Sequence, residues 1–234
     1  MDIIGQALLD YQNGRYSEDI ITYSSLDEED IIPLPYLFRD FEEMPPLEQK
    51  ALELCQGKVL DIGCGSGSHA LYLQQQGLDV IALDNSKGAI EACILRGVKN
   101  TKLIDFQDYK GEKFDTLLLL MNGLGIAERL ENLDQFLSHL KSFLRPNGQV
   151  LVDSSDIIYM FDEDEDGGRW LPDAPAYYGE VEFTLMYKGE KGNPFVWVYC
   201  DFNTLQRAAI ANNFDCELLA EGEHYDYLAR ITSK

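Results

Sequence analysis

The stretch VLDIGCGSGSHALYL, residues 59–73, constrains this chain more than any other. An apolar run carries the acid Asp61 near its end, three glycines follow within five residues, and an apolar helical pattern comes next. This reads as a buried strand, a tight turn, and a helix whose first N–H groups face the turn. The same strand-and-helix alternation continues. Strands are predicted at 58–62, 79–83, 101–105, 114–121 and 149–155, with helices at 68–76, 87–97 and 131–144 between them. The run FDTLLLLM is almost wholly apolar, as a central parallel strand should be. Strands separated by helices of this length predict an α/β fold: a Rossmann-like, mostly parallel sheet with right-handed crossovers and helices on both faces.

The pattern changes after residue 155. EVEFTLMY (180–187) alternates, PFVWVYCDF (194–202) is aromatic and strand-like, and KGEKGN between them is a turn. They predict an inserted antiparallel hairpin, followed by a helix near 203–213 and two strands near 215–221 and 225–232. The first 50 residues read as an amphipathic helix (Ile4, Ala7, Leu8, Tyr11), an acidic loop around DEED (27–30), and a helix entering the first strand. The expected organisation is an N-terminal lid segment, 1–45, and a main domain, 46–234, with an insertion at 155–202.

The glycine turn offers backbone N–H groups to an anionic or polar ligand. It is no dinucleotide fingerprint, since Ser68 stands where GxGxxG needs its last glycine, and it lacks the Lys-Ser/Thr of a P-loop. Asp61 would oppose a bound pyrophosphate. It suits a zwitterion, with an ammonium for the acid and a carboxylate for the helix N–H groups. S-adenosylmethionine has such an end. Asp84 closes the second strand, where an acid can take both ribose hydroxyls. Asp105 and Phe106 follow the third, where an acid can accept from an adenine amino group and a ring can cover the base.

These residues resemble the class I S-adenosylmethionine-dependent methyltransferases. VLDIGCGSG is similar to their first motif, ALDNS to their ribose-binding acid, and FLRPNGQVLVDSS to the helix, turn and strand after the fourth strand. The resemblance is to a bacterial branch, and it implies a seven-stranded sheet with a reversed last strand. It further implies that Asp61, Gly63, Cys64, Gly65 and Gly67 hold the methionine portion. Asp84, with its neighbour Asn85, would hold the ribose, and Asp105 and Phe106 the adenine. Asn122 would sit beside the reactive methyl. MNGLG departs from the Asn/Asp-Pro-Pro-Tyr motif of many amine-methylating members, so methylation of an exocyclic amine or glutamine is not supported.

Methyl transfer from a sulfonium rests largely on positioning and shielding from water, so no triad is required. Two residues are candidates for catalysis or substrate contact. His69, in the first turn after the glycines, is either a base or packing. Arg39, a cation in an acidic segment, either grips an anionic group on the substrate or forms a salt bridge. His139 reads as surface, and His224 and Tyr225 as a closing turn. Aromatic walls for a small-molecule acceptor are offered by YLFRDF and by Trp170, Tyr177, Tyr178, Phe195 and Trp197. On this reading residues 1–45 serve the acceptor, and their removal should leave the cofactor site intact.

A formal charge of −22, from 41 acids and 19 bases, argues against nucleic acid. No long apolar run spans a membrane, and the first residues lack a secretory pattern. Five separated cysteines without a CxxC pair predict reduced thiols, no metal site and a cytoplasmic protein.

Overall fold

The structure, a computed structural model, describes residues 1–162, 169 and 176–234. Its helices are α1 (Ile3–Gln12), α2 (Leu34–Leu37), α3 (Pro46–Leu54), α4 (Ser68–Gln75), α5 (Lys87–Arg96), α6 (Leu133–Ser142) and α7 (Phe202–Ala211). Its strands are β1 (Ile20–Ser24), β2 (Glu29–Ile32), β3 (Lys58–Ile62), β4 (Asp79–Asp84), β5 (Thr101–Leu103), β6 (Phe114–Leu119), β7 (Leu144–Ser155), β8 (Glu180–Tyr187), β9 (Glu190–Lys191), β10 (Phe195–Val198), β11 (Phe214–Glu221) and β12 (Asp226–Ser233).

Seven strands form the main sheet in the order β11-β12-β7-β6-β3-β4-β5. The pairs β3–β4, β3–β6, β4–β5 and β6–β7 are parallel, and β12 runs antiparallel to both of its neighbours. The period of two divides the strand residues between the faces. Leu60, Ile62, Leu117, Leu119, Val150 and Val152 pack under α6 and α7. Val59, Leu118, Leu151 and Leu228 pack with α3, α4 and α5. In α6 the buried set Leu133, Phe136, Leu137 and Leu140 follows the helical repeat.

The second sheet runs β10-β8-β1-β2, with β9 paired to β8. The insertion does supply the antiparallel pair β8–β10, in register Phe195↔Phe183 and Trp197↔Val181. It is not a separate hairpin, because β8 also pairs with β1, Ile21↔Met186 to Ser24↔Phe183. The segment expected to be an acidic loop is the hairpin β1–β2, with Asp27 in its turn at φ 58°. Three boundaries also shift. β6 stops at Leu119, β5 is shorter than expected, and β7 begins at Leu144, so the RPNG stop lies inside it with Asn147 at φ 63°.

Helix α1 closes one end of this small sheet, with Ile3 and Ala7 against Ile20, Leu34, Leu185 and Tyr187. Its other side lies on α5, where Leu8 meets Ala89 and Ala92. The helices come so close that a Cβ at Gly88 would stand 2.3 Å from the Gly5 backbone. The N-terminal segment is thereby built onto the helix that follows the second parallel strand.

Candidate active site

The C-terminal ends of β3, β4, β6 and β7 meet at one edge, where open α/β sheets bind ligands. The glycine loop leaves β3 with Gly63, Gly65 and Gly67 at φ 74°, 52° and 82°, values that side chains resist. The N–H groups of Gly63 and Cys64 donate to the Leu83 carbonyl (2.8 and 3.0 Å), tying the loop to β4. A Cβ at Gly65 would meet nothing within 4 Å, so the loop opens onto free space there. Cys64 is buried, with its sulfur 3.7 Å from that of Cys93 in α5.

Asp61 is 2% exposed, and its Oδ2 has no hydrogen-bond partner among the described residues. Burial pushes its carboxyl up to about 6, against the opposing pull of His69. Burial also raises Asp84, although the N–H groups of Ser86 (2.8 Å) and Gly65 (2.9 Å) donate to its two oxygens. Asn85 donates to Asp105 (3.1 Å), which also accepts from the Gln107 N–H (2.9 Å). Asp61, Asp84, Asn85, Asp105 and the glycines thus fall along one edge. The Phe106 ring does not join them. It is 3% exposed and packs on Phe136, His139 and Phe143 (centroids 5.7, 4.8 and 5.9 Å), which leaves it no open face for a base. His139 is half-buried rather than on the surface, with Nε2 2.8 Å from the Phe106 carbonyl.

Arg39 takes the salt bridge. Its guanidinium donates to both oxygens of Glu48 and to the Tyr36 carbonyl, and it lies 3.9 Å over the Tyr36 ring. The Nε2 of His69 stands 2.8 Å from Glu48 Oε2, so Arg39 and His69 share one carboxylate, and all three are less than 10% exposed. Burial alone would raise Glu48, but His69 and Arg39 outweigh it and hold it below the usual range.

At the end of β6, Met121 and Asn122 both take positive φ (64° and 55°). Asp153, near the end of β7, fixes that turn by accepting from the N–H groups of Met121 (3.0 Å) and Gly123 (3.1 Å). Burial pushes Asp153 up to about 7. The Asn122 side chain accepts from Ser155 Oγ (3.0 Å), and its carbonyl accepts from the indole of Trp197 (3.0 Å). Asp153 and Glu48 stand among these candidates, and sequence reasoning missed both. Asp153 had a signal, since VLD, ALD and LVD place an acid at comparable points of three strands. Glu48 had none, because its partners lie 9 and 21 residues away.

Tyr177 and Tyr178 donate to Asp201 (2.7 Å) and Asp156 (2.8 Å). Tyr225 is exposed at φ 60°, stacked on Tyr159 at 5.0 Å, and His224 lies in the same turn. Trp170, a candidate wall residue, lies outside the described residues.

A methyltransferase-domain family profile matches residues 60–152, the span from β3 to β7 that carries these groups. Over the whole chain, a crystal structure of an S-adenosylmethionine-dependent methyltransferase from Bacteroides fragilis, in complex with S-adenosyl-L-homocysteine, is 45% identical. The match covers 99% of this chain and 94% of that one, with a TM-score of 0.92. The chain belongs to the S-adenosylmethionine-dependent methyltransferases. Its cofactor is S-adenosylmethionine, and the orphaned Asp61 oxygen and the space over Gly65 fit that molecule's amino-acid end. Among curated proteins, the ubiquinone biosynthesis O-methyltransferase of Rickettsia typhi is 33% identical over 97 residues, 41% of this chain and 39% of the relative. That of Pelagibacter ubique is 31% identical over 101 residues, 40% of its length. The chain spans about two-fifths of the curated relatives it matches. DesVI of Streptomyces venezuelae shares the fold, with a TM-score of 0.58 at 18% identity, covering 86% of this chain and 96% of that one. No helix among the described residues is long and apolar enough to cross a membrane.

Proposed function

We propose that this methyltransferase transfers the methyl group to a small-molecule acceptor held between the strand ends and the second sheet. The cofactor would lie along the acids: its ammonium at Asp61, its carboxylate toward the loop N–H groups of Gly63 to Gly67, its ribose at Asp84, and its adenine beside Asn85 and Asp105. The observation that carries the reading is the buried, unpartnered oxygen of Asp61, because a buried carboxylate oxygen without a donor is costly unless a ligand supplies one. The N-terminal segment and the strands β8 and β10 of the insertion would together roof the acceptor, since β1 and β8 are hydrogen-bonded neighbours. The O-methylation carried out by the curated relatives supports a small acceptor, as does the −22 charge, which disfavours nucleic acid.

Calorimetry with S-adenosylhomocysteine and NAD(H) tests the cofactor assignment on the wild-type chain and on Gly65→Val. S-adenosylhomocysteine should bind and NAD(H) should not. Gly65→Val should melt cooperatively yet lose the ligand, because a β-branched side chain fills the open space and resists φ 52°. Normal binding by that variant would refute the placement.

A further inference from the structure

His69 is held at one ring nitrogen and open at the other. It stands in the first turn of α4, just past Gly67, and its Nε2 lies 2.8 Å from Glu48 Oε2. Arg39 and His69 outweigh burial and keep Glu48 in its charged form. A charged carboxylate only accepts, so Nε2 carries the ring proton and Nδ1 the lone pair. Among the described residues Nδ1 has no hydrogen-bond partner, and it is not one of the sealed polar atoms that lack one, which are Arg39 Nε and Asp61 Oδ2. The lone pair therefore reaches open space. The Arg39 guanidinium grips both Glu48 oxygens and rests on the Tyr36 ring, so the carboxylate that aims the imidazole is itself fixed.

That space belongs to the cofactor end of the sheet. The Ala70 N–H, next along α4, bonds to Asp61 of β3, and Asp61 feels the His69 charge. Asp153 of β7 feels the charges of His69 and Glu48. Strand β6 lies between β3 and β7, and the segment after it leans over the glycine loop: a Cβ at Gly63 would stand 3.1 Å from Ile126 Cδ1. His69 thus stands between the acid assigned to the cofactor ammonium and the acid that holds the 121–123 turn. In S-adenosylmethionine a short methylene chain joins the ammonium-bearing carbon to the sulfonium, so a base beside Asp61 is near the reacting methyl. Glu48, Asp61 and Asp153 face the ring from α3, β3 and β7, and the Arg39 charge is matched by Glu48. Carboxylates on several sides stabilise an imidazolium as it forms.

Resting on the methyltransferase reading above, we propose that the acceptor is a small alcohol or phenol and that His69 Nδ1 is the base that takes its hydroxyl proton, with Glu48 and Arg39 as positioning residues. A neutral hydroxyl is a weak nucleophile unless its proton leaves as it attacks, so this acceptor needs a base. The O–H proton passes to Nδ1. The O–C bond forms as the S–C bond of the sulfonium breaks, and the S–C electron pair stays on sulfur. The products are a methyl ether and S-adenosylhomocysteine. The positive charge lost by sulfur reappears on the imidazole beside Glu48, so the net charge of the site does not change. The imidazolium then gives its proton to water. A hydroxyl acceptor also agrees with MNGLG after β6, which is not the motif of many amine-methylating members.

The test is absorbance and calorimetry on the full chain saturated with S-adenosylhomocysteine, with 4-nitrophenol as the probe and 4-nitroanisole as its methylated counterpart. The buffer is held below the pKa of free 4-nitrophenol, so that only a base in the site ionises it. Bound 4-nitrophenol should show the phenolate band and bind at least about tenfold more tightly than 4-nitroanisole, as a charge-assisted hydrogen bond predicts. His69→Gln, whose amide can still donate to Glu48, should erase both the band and the preference. Glu48→Gln keeps an acceptor for Nε2 but removes the charge, and it should weaken the band at unchanged pH. A cooperative melt of each variant shows that the fold survives. No phenolate band in the unsubstituted chain, a band that persists in His69→Gln, or equal affinity for the two probes overturns the proposal. The unsubstituted chain decides it even if a variant misfolds. Failure of S-adenosylhomocysteine itself to bind would instead strike the underlying methyltransferase assignment.

Discussion

Asp61 ties the cofactor to pH. Its carboxyl stands at about 6, above the ordinary 3.8, because burial disfavours the charged form. The folded chain therefore holds this proton more tightly than the unfolded chain. Stability from this group is complete below about 3.8 and is lost as pH rises through about 6. A ligand ammonium needs the opposite state, the carboxylate. Affinity for S-adenosylhomocysteine should thus rise roughly tenfold per pH unit up to about 6 and then level off, as linkage requires. Asp61→Asn should bind weakly with a nearly flat profile over that range. Calorimetry at several pH values checks this, and an equally flat profile in the unsubstituted protein would remove the ammonium from Asp61. At this scale the sequence was legible where a position on a strand fixes a residue's place, as for Asp61 and Asp84 at the ends of β3 and β4. Phe106 misled because the residue after a strand end can turn inward, and here α6 offers Phe136, His139 and Phe143 to pack on. Arg39 could be read either as a ligand or as an ion pair until Glu48 was placed beside it.

Between elements, the glycine loop is clasped from outside by the N-terminal segment. Ser66 and Ser68 donate to the Leu37 carbonyl, and Arg96 donates to both serine hydroxyls (2.8 and 2.9 Å) and to the Phe38 carbonyl (3.2 Å). Arg96→Ala removes the shared donor and leaves half-buried acceptors unmet, a loss of about 1–3 kcal/mol. Since the clasp grips the loop from behind, the variant should also loosen S-adenosylhomocysteine binding and speed amide exchange at residues 36–39 and 65–69. Hydrogen exchange that is unchanged in both segments would mean the contacts are incidental. The parallel strands and their helices were legible because each carries its own period. The hairpin β1–β2 was not, because β2 lacks the alternation of a half-buried strand: Glu29, Asp30 and Ile31 are all exposed. Its place is set by β8, about 160 residues away in sequence, and no local signal carries such a pairing.

For the molecule as a whole, the two sheets cannot be treated as a core enzyme and a removable lid. Residues 1–45 supply Ile3, Ala7, Leu8, Ile20 and Leu34, all buried, and they cover Ala89 and Ala92 of α5 together with Leu185 and Tyr187 of β8. Asp2 also reaches α5, accepting from Ser86 Oγ (2.9 Å) and the Gly88 N–H (3.0 Å), directly after the acid assigned to the ribose. Burying each large aliphatic side chain is worth about 1.5–3 kcal/mol. Four of them approach the whole net stability of a domain, about 5–15 kcal/mol. Deleting residues 1–45 would uncover that surface and leave one edge of β8 unpaired. The truncated chain should therefore lose its cooperative thermal transition and its binding of S-adenosylhomocysteine together, rather than keep the cofactor and lose only the acceptor. Thermal melting and calorimetry on the two chains separate the cases. A truncated protein that melts cooperatively and binds with unchanged affinity would restore the view of the N-terminal segment as a cover for the acceptor alone.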